Sequence, residues 1–527
     1  MDSANVGYSY HLPAGGWNYK IRNTLSQFSD LFSEFNKYIA PAYHHDRCER
    51  SVQMRIYSMH KGEFVMVFIT FFACFGLGVF IGLAGPSPTM TTSIAASTQL
   101  SNTSTIYEGP FHLHSPVLST RAQQLWLLAE ILTNNDDEEI FDKSFQVSIS
   151  IDGVLNEHKT VNLFPESISA NKTQHLKCKK QVCEEVMVLH LGSLDYTHYV
   201  LNVHFYGLKE FHKRYYIREI LFHFKTYNPA FTQIETWFRF IFLLTTFTIA
   251  CWFAHTLRKY ATYDWAIEQK WLSILLPLLL LFNDPIYPLR LVSSSCFAPL
   301  MDTVFQSAFL ACLMLSWLAQ YHGLRQNERG FLSFYLFKII IVGLVWTPAM
   351  VLTVWQKYYS FYDPTFNYVT SPNYPVIKIM FFSAVILYFL YLLVLVIKAY
   401  SDLRNMPFFD VRLRSLSLGV GAACAASASV AASGWGAAAL QDHWAARRPP
   451  PDTSAPFMAI YALYNFYVYL LAYFYSPGSH SVHESSITKD NPAFSMINDS
   501  DEEVIYGSDE ESRRPLNSHH KLNNEDI

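Results

Sequence analysis

Residues 64–84 read FVMVFITFFACFGLGVFIGLA, a run with no charged side chain, stopped by Gly85, Pro86 and Pro88. A membrane-spanning helix takes about 20 apolar residues, and glycine and proline just beyond mark its end. This stretch decides the class of the chain. Further apolar runs lie at 238–256, 272–291, 297–321, 331–355, 376–397 and 457–475. The chain of 527 residues is 51% hydrophobic but only 16% charged, whereas a soluble domain carries about 25% charge. That excludes a soluble enzyme, a fibrous protein and a fully disordered chain. A net charge of −4 gives no reason to expect a nucleic-acid partner.

An eighth, weaker span is expected at 416–440. Twelve of the 27 residues from 420 to 446 are alanine, and the leucine and isoleucine that favour insertion by about 0.5 kcal/mol each nearly vanish. Parity asks for it: without this span the loop around 398–414 and the acidic tail fall on opposite sides. With the N-terminus inside, Arg258, Lys259, Lys270, Arg325, Arg329, Lys398, Arg404, Arg412 and Arg414 face the cytosol. The other side has fewer basic residues: Arg290, Lys357, Arg447 and Arg448, with Arg239 and Lys378 at span edges. Both ends are therefore cytosolic. The polar lead before the first span is too long for a cleaved signal, so an uncleaved signal anchor is expected. The division is a cytosolic segment 1–63, a first helix 64–84, a lumenal or extracellular domain 85–236, a seven-helix unit 237–475 and a disordered cytosolic tail 476–527.

The domain at 85–236 alternates apolar and polar residues with period two at 144–151, 159–164, 185–191, 198–206 and 217–224, with turn residues such as Asp152-Gly153 and Gly192-Ser193 between. This predicts an antiparallel β-sandwich. The Ser/Thr-rich stretch 86–105 reads as a flexible stalk. Asn102-Thr103-Ser104 and Asn171-Lys172-Thr173 are glycosylation acceptors. Cys178 and Cys183, an isolated pair in a polar loop, predict a short disulfide hairpin in an oxidising compartment, with two free thiols as the alternative.

Neither G-x-S-x-G, nor a P-loop, nor H-E-x-x-H occurs in a suitable setting, so no catalytic residue, metal ligand or cofactor site is expected. Charged residues at mid-bilayer cost about 2.5–3.5 kcal/mol and are informative. Asn283 and Asp284 lie in the third span beside Pro277, Pro285 and Pro288, which must distort the helix. Asp302 enters the fourth span from the outer side, and Arg290 is placed to neutralise either aspartate. This intramembrane polar cluster lines a ligand cavity or fixes helix packing; both readings stand. Lys338, near the inner end of the fifth span, is expected to snorkel.

In the tail, Asn491-Pro492-Ala493-Phe494 has the form of a sorting signal, with Asn491, Pro492 and Phe494 meeting sorting adaptors. Ser500 and Ser508 precede acidic clusters and are candidate phosphorylation sites.

The order of elements, the segment FKTYNPAFT at 224–232 leading into the second span, and Pro277–Phe282 followed by Asn283-Asp284-Pro285 together resemble the Wntless-like membrane proteins. The resemblance covers most of the chain. It implies a GOLD-like β-sandwich between the first and second helices, and a seven-helix unit similar to that of G-protein-coupled receptors. The Wntless branch carries lipid-modified proteins through the secretory route. Residues 417–456 depart from the leucine- and aromatic-rich helix expected there, and no lipid-contact motif matches. The leading expectation is a non-enzymatic, receptor-like protein of the Golgi, secretory route and plasma membrane. It would contact membrane lipid and bind a secreted protein or lipid-modified ligand. A signalling cell-surface receptor is the alternative, and a transporter ranks lower because no repeated halves are visible.

Overall fold

The computed structural model describes residues 52–478 apart from 136–139, 157–158, 164–170, 180, 294, 325–333, 367–370, 372, 404–413, 418, 422–423 and 425–452. Helix α1 (Lys61–Ala84) leads into an antiparallel sheet of eleven strands. The strands are β1 (Thr89–Ala95), β2 (Leu100–Thr105), β3 (Gly109–His114), β4 (Leu125–Thr133), β5 (Ile140–Asn156), β6 (Lys159–Asn162), β7 (Asn171–Lys179), β8 (Val182–Cys183), β9 (Val186–Leu191), β10 (His198–Tyr206) and β11 (Ile217–Tyr227), with the short helix α2 (Lys209–Tyr215) before β11. Their order is β1-β11-β4-β8-β7-β5-β10-β3-β2, with β6 on β5 and β9 on β4. The rings of Phe111 on β3, Phe205 on β10 and Phe222 on β11 meet at 5.2–6.1 Å between centroids. Strands far apart in the order thus share one core, as in a sandwich. Cys178 and Cys183 stand opposite each other on β7 and β8 and are bonded.

The stretch 86–105 is not a stalk. Strand β1 runs beside β11 from Thr89↔Tyr227 to Ala95↔Leu221, and β2 pairs with β3. Threonine and serine are as much at home on a half-exposed strand as in a linker, so composition alone misreads them. Strand β4, LWLLAEILT, has no alternation because both its faces are covered.

The spanning helices follow: α3 (Pro229–Leu257), α4 (Ile267–Phe282), the short α5 (Tyr287–Val292), α6 (Phe297–Gly323), α7 (Leu336–Tyr362), α8 (Tyr374–Leu403) and α9 (Ala455–Tyr475). Together with α1, and with α4 and α5 forming one crossing, seven segments among the described residues are long and apolar enough to span a bilayer. Of the eighth candidate, Leu416 and Val420 are buried in the bundle core, and most of the rest lies outside the described residues. The domain boundary also moves: the sheet ends at Tyr227 and α3 begins at Pro229, not near 237. Asn228 caps that helix, its Oδ1 accepting from the Ala230 N–H at 3.0 Å, and Pro229 suits its first turn. The third crossing breaks where the prolines require it, with Asp284 at φ +52°. Pro277, by contrast, stays within α4. Ile379, Phe382 and Ile386 on α8 and Phe72 and Phe80 on α1 are exposed, an apolar face suited to lipid.

Helix α1 runs antiparallel to α9. Phe64 stacks on Phe474 at one end, and Ser454 Oγ donates to the Gly82 carbonyl at 3.0 Å at the other. A Cβ on Gly82 would sit 2.5 Å from Ala455 Cα, and one on Gly78 3.0 Å from Ala462 Cβ. Small residues four apart let the backbones approach, which is how helices associate in lipid. Gly82→Leu is expected to destabilise the protein by roughly 1–3 kcal/mol through overpacking, read as a lower thermal midpoint in detergent. Gly76→Leu, with nothing within 4 Å, should leave it unchanged; equal loss from both would reject this packing.

Candidate polar site at the sandwich–bundle junction

A spanning helix tolerates an arginine only if something neutralises it. Arg239 sits one turn after Glu235 on α3, the i,i+4 spacing that sets side chains side by side. Its Nε and Nη2 donate to Glu235 Oε1 at 3.0 and 2.9 Å. Its Nη1 donates to Asp302 Oδ1 on α6 at 3.1 Å and lies 3.8 Å from Asp284 Oδ2. The guanidinium also lies over the rings of Tyr287 and Tyr461, 4.5 and 5.3 Å from their centroids. All six residues are buried. Gln306 Nε2 donates to Asp302 at 2.6 Å, and Asp284 Oδ1 accepts from the Ile286 N–H at 3.1 Å. The left-handed backbone at Asp284 turns its carboxylate toward α3 instead of continuing the helix. Arg290 adds its positive charge to the field on both aspartates.

The cluster opens toward the sandwich. Tyr287 donates its hydroxyl proton to Glu235 Oε2 at 2.9 Å and accepts from Gln123 Nε2 at 3.1 Å. Gln123 follows the turn Thr120–Ala122, with φ +58°, and also donates to Thr232 Oγ1 at 2.9 Å. Thr232 in turn donates to the Arg121 carbonyl at 2.8 Å. A hydrogen-bonded route therefore runs from the sandwich through Gln123 and Tyr287 to Glu235, Arg239 and Asp302.

A second contact joins β9 to α7. The N–H groups of His190 and Gly192 donate to the carbonyls of Pro364 at 2.7 Å and Ser360 at 3.1 Å. The His190 ring bridges Gln124 of the sandwich at 3.0 Å and Gln356 of α7 at 3.3 Å, stacked on Trp126. Gly192 is required here, since a Cβ would fall 2.7 Å from Ser360 Oγ. Lys172 and Asp363 pair at 3.0 Å nearby. On β11, opposite Trp126, burial pulls the Lys225 ammonium down to about 8 while the Glu185 carboxylate pulls it back up; burial also raises Glu185.

Of the four residues expected to cluster, Asp284 and Asp302 meet at Arg239, and Arg290 stands close enough to act on both. Asn283 does not join them. Its Nδ2 donates to Thr246 Oγ1 and Asn465 Oδ1, both at 2.9 Å, and Asn465 returns a bond at 3.1 Å. This separate amide cluster ties α3, α4 and α9 together, while Tyr461 donates to the freed Phe282 carbonyl at 2.7 Å. Lys338 does not snorkel: it is buried, lies 3.6 Å over the Phe334 ring and donates to the Phe334 carbonyl. Asn171 lies exposed at the start of β7, and the Asn102 backbone lies in β2. Asn491, Pro492, Phe494, Ser500 and Ser508 lie outside the described residues. The central Glu235–Arg239 pair, Tyr287, Gln123, Asn465 and His190 were missed. Only the i,i+4 spacing of Glu235 and Arg239 was a legible signal, hidden because both seemed to stand at a span edge.

Residues 228–479 match the family model of the Wntless-like transmembrane domain, and residues 109–227 that of the GOLD domain of TMEM181. The chain is 43% identical over 461 residues to human transmembrane protein 181, covering 87% of this chain and 94% of that protein. It belongs to the Wntless-like, transmembrane protein 181 family. The junction is thus the place where a GOLD domain meets a Wntless-like helix unit.

Arg239→Gln should leave three carboxylates buried without their shared cation and cost about 3–5 kcal/mol, seen as a lost monodisperse peak or a large fall in thermal midpoint. Adding Asp302→Asn should recover part of that loss, and no recovery would reject the pairing. Between about pH 8 and the ordinary lysine value near 10.4, the unfolded chain binds more protons at Lys225 than the folded one. Stability is therefore expected to rise with pH across that window. Thermal unfolding of the protein and of Lys225→Met should differ in slope there, the variant being flatter.

Proposed function

We propose that the protein is a receptor-like, non-enzymatic membrane protein that binds a secreted protein or lipid-modified ligand through its GOLD domain and helix bundle. It would serve as a cargo carrier of the secretory route, in the Golgi and at the plasma membrane. The observation that carries this reading is the buried route from Gln123 through Tyr287 to Arg239. A ligand that shifts the sandwich acts directly on α3, α5 and α6, because the polar groups of the route are buried and each leaves its neighbour unpaired if it moves. The helix unit belongs to a family whose name-giving branch carries lipid-modified cargo, which supports the same class of ligand here. Asn102 and Asn171 would carry glycans on the ligand-facing side, and Asn491, Pro492 and Phe494 would address the loaded protein to vesicles through sorting adaptors.

Deleting the protein from cells and comparing secreted with retained proteins by quantitative mass spectrometry tests the reading. A small group of secreted proteins should accumulate inside. Unchanged secretion would overturn the carrier role.

A further inference from the structure

Before α1, the chain does not simply enter the bundle from solvent. Val52, Met54 and Ile56 are buried, at 7%, 1% and 4% exposure. Met54 and Ile56 belong to the same apolar core as Leu257 of α3, Leu324 just after α6, and Phe474 and Tyr475 of α9. The backbone is tied on two sides. The Val52 N–H donates to the carbonyl of Asp264, in the loop between α3 and α4, at 2.9 Å. Met54 bridges Pro477 in antiparallel fashion, flanked by Arg55 N–H to the Ser476 carbonyl at 2.8 Å and Gly478 N–H to the Gln53 carbonyl at 3.0 Å. A single helical turn, Arg55–Ser58, then covers the end of α9. The Arg55 guanidinium lies 4.3 Å over the Tyr473 ring and 3.2 Å from Glu63, which also accepts the Tyr473 hydroxyl at 2.7 Å. Buried Val52 and Met54 on either side of exposed Gln53 give the alternation of an extended segment laid on an apolar surface, and the helical turn that follows buries Ile56.

We propose that residues 52–58 are a strap that closes the cytosolic end of the helix bundle. It covers the core at the ends of α3, α6 and α9 with the chain's own side chains. The strap joins the segment before the first span to the exit of the last and holds the start of α1 against the end of α9. Access to this end of the bundle from the cytosol then requires the strap to lift. This inference does not depend on the carrier reading, since it concerns the opposite face.

The test uses the full chain in native membranes opened on the cytosolic side. Leu257→Cys places a thiol in the apolar core that the strap shares, at the end of α3, where Leu257 is 1% exposed, and its labelling by a membrane-impermeant maleimide is timed against the parent. Protection should hold with the strap intact and fall roughly tenfold or more when Met54→Asp and Ile56→Asp lift it, as for any site freed from local closure. Equal labelling in both backgrounds would overturn the proposal. Because the aspartates also threaten folding, a second variant carries Met54→Cys with Pro477→Cys, the bridged pair. A mild oxidant should crosslink them, with a reductant-reversible shift in gel mobility; a folded, monodisperse protein that fails to crosslink overturns the strap.

Discussion

One guanidinium governs the half of the bundle that meets the sandwich. Arg239 is buried where a bare cation cannot persist, so the fold must bring acids to it: Glu235 from the same helix, Asp302 from α6, and Asp284 from the break between α4 and α5. That break is itself a consequence of Pro285 and Pro288, which cannot continue a helix. The freed carbonyl of Phe282 and the side chain of Asn283 are then satisfied by Tyr461 and Asn465 of α9. A single interrupted helix thus sends one residue up to the charge cluster and the one before it sideways to the last helix.

The sandwich rests on this arrangement, not beside it. Tyr287 bonds both Glu235 and Gln123, and the backbone of β9 bonds the end of α7. At the opposite face the strap ties the two flanks of the bundle through backbone hydrogen bonds. The helices are therefore held by polar contacts at both ends and by the buried Thr246, Asn283 and Asn465 cluster between them, alongside dispersion and small-residue packing, as expected where lipid supplies no hydrophobic drive for helix association.

Much of this architecture was legible in the residues. The uncharged length of 64–84, the cysteine pair, and the alternation in β5, β10 and β11 announced the first span, the disulfide and the sheet. Asp284 and Asp302 stood out because charge in a span is rare. Strand β1 was hidden by its composition, and β4 by being covered on both faces. Asn283 was misplaced because neighbours on a broken helix point in different directions.

The sequence by itself determined that the chain crosses a membrane repeatedly and carries a β-domain between its first two spans, because hydrophobic length and period are local properties. Tertiary structure alone decided which polar groups meet. Arg239 finds Asp302, 63 positions away, and Met54 finds Pro477, through the packing of helices that sequence spacing does not encode. The need to neutralise or hydrogen-bond each buried polar group is written in the residues. The identity of its partner is settled only when the helices are in place.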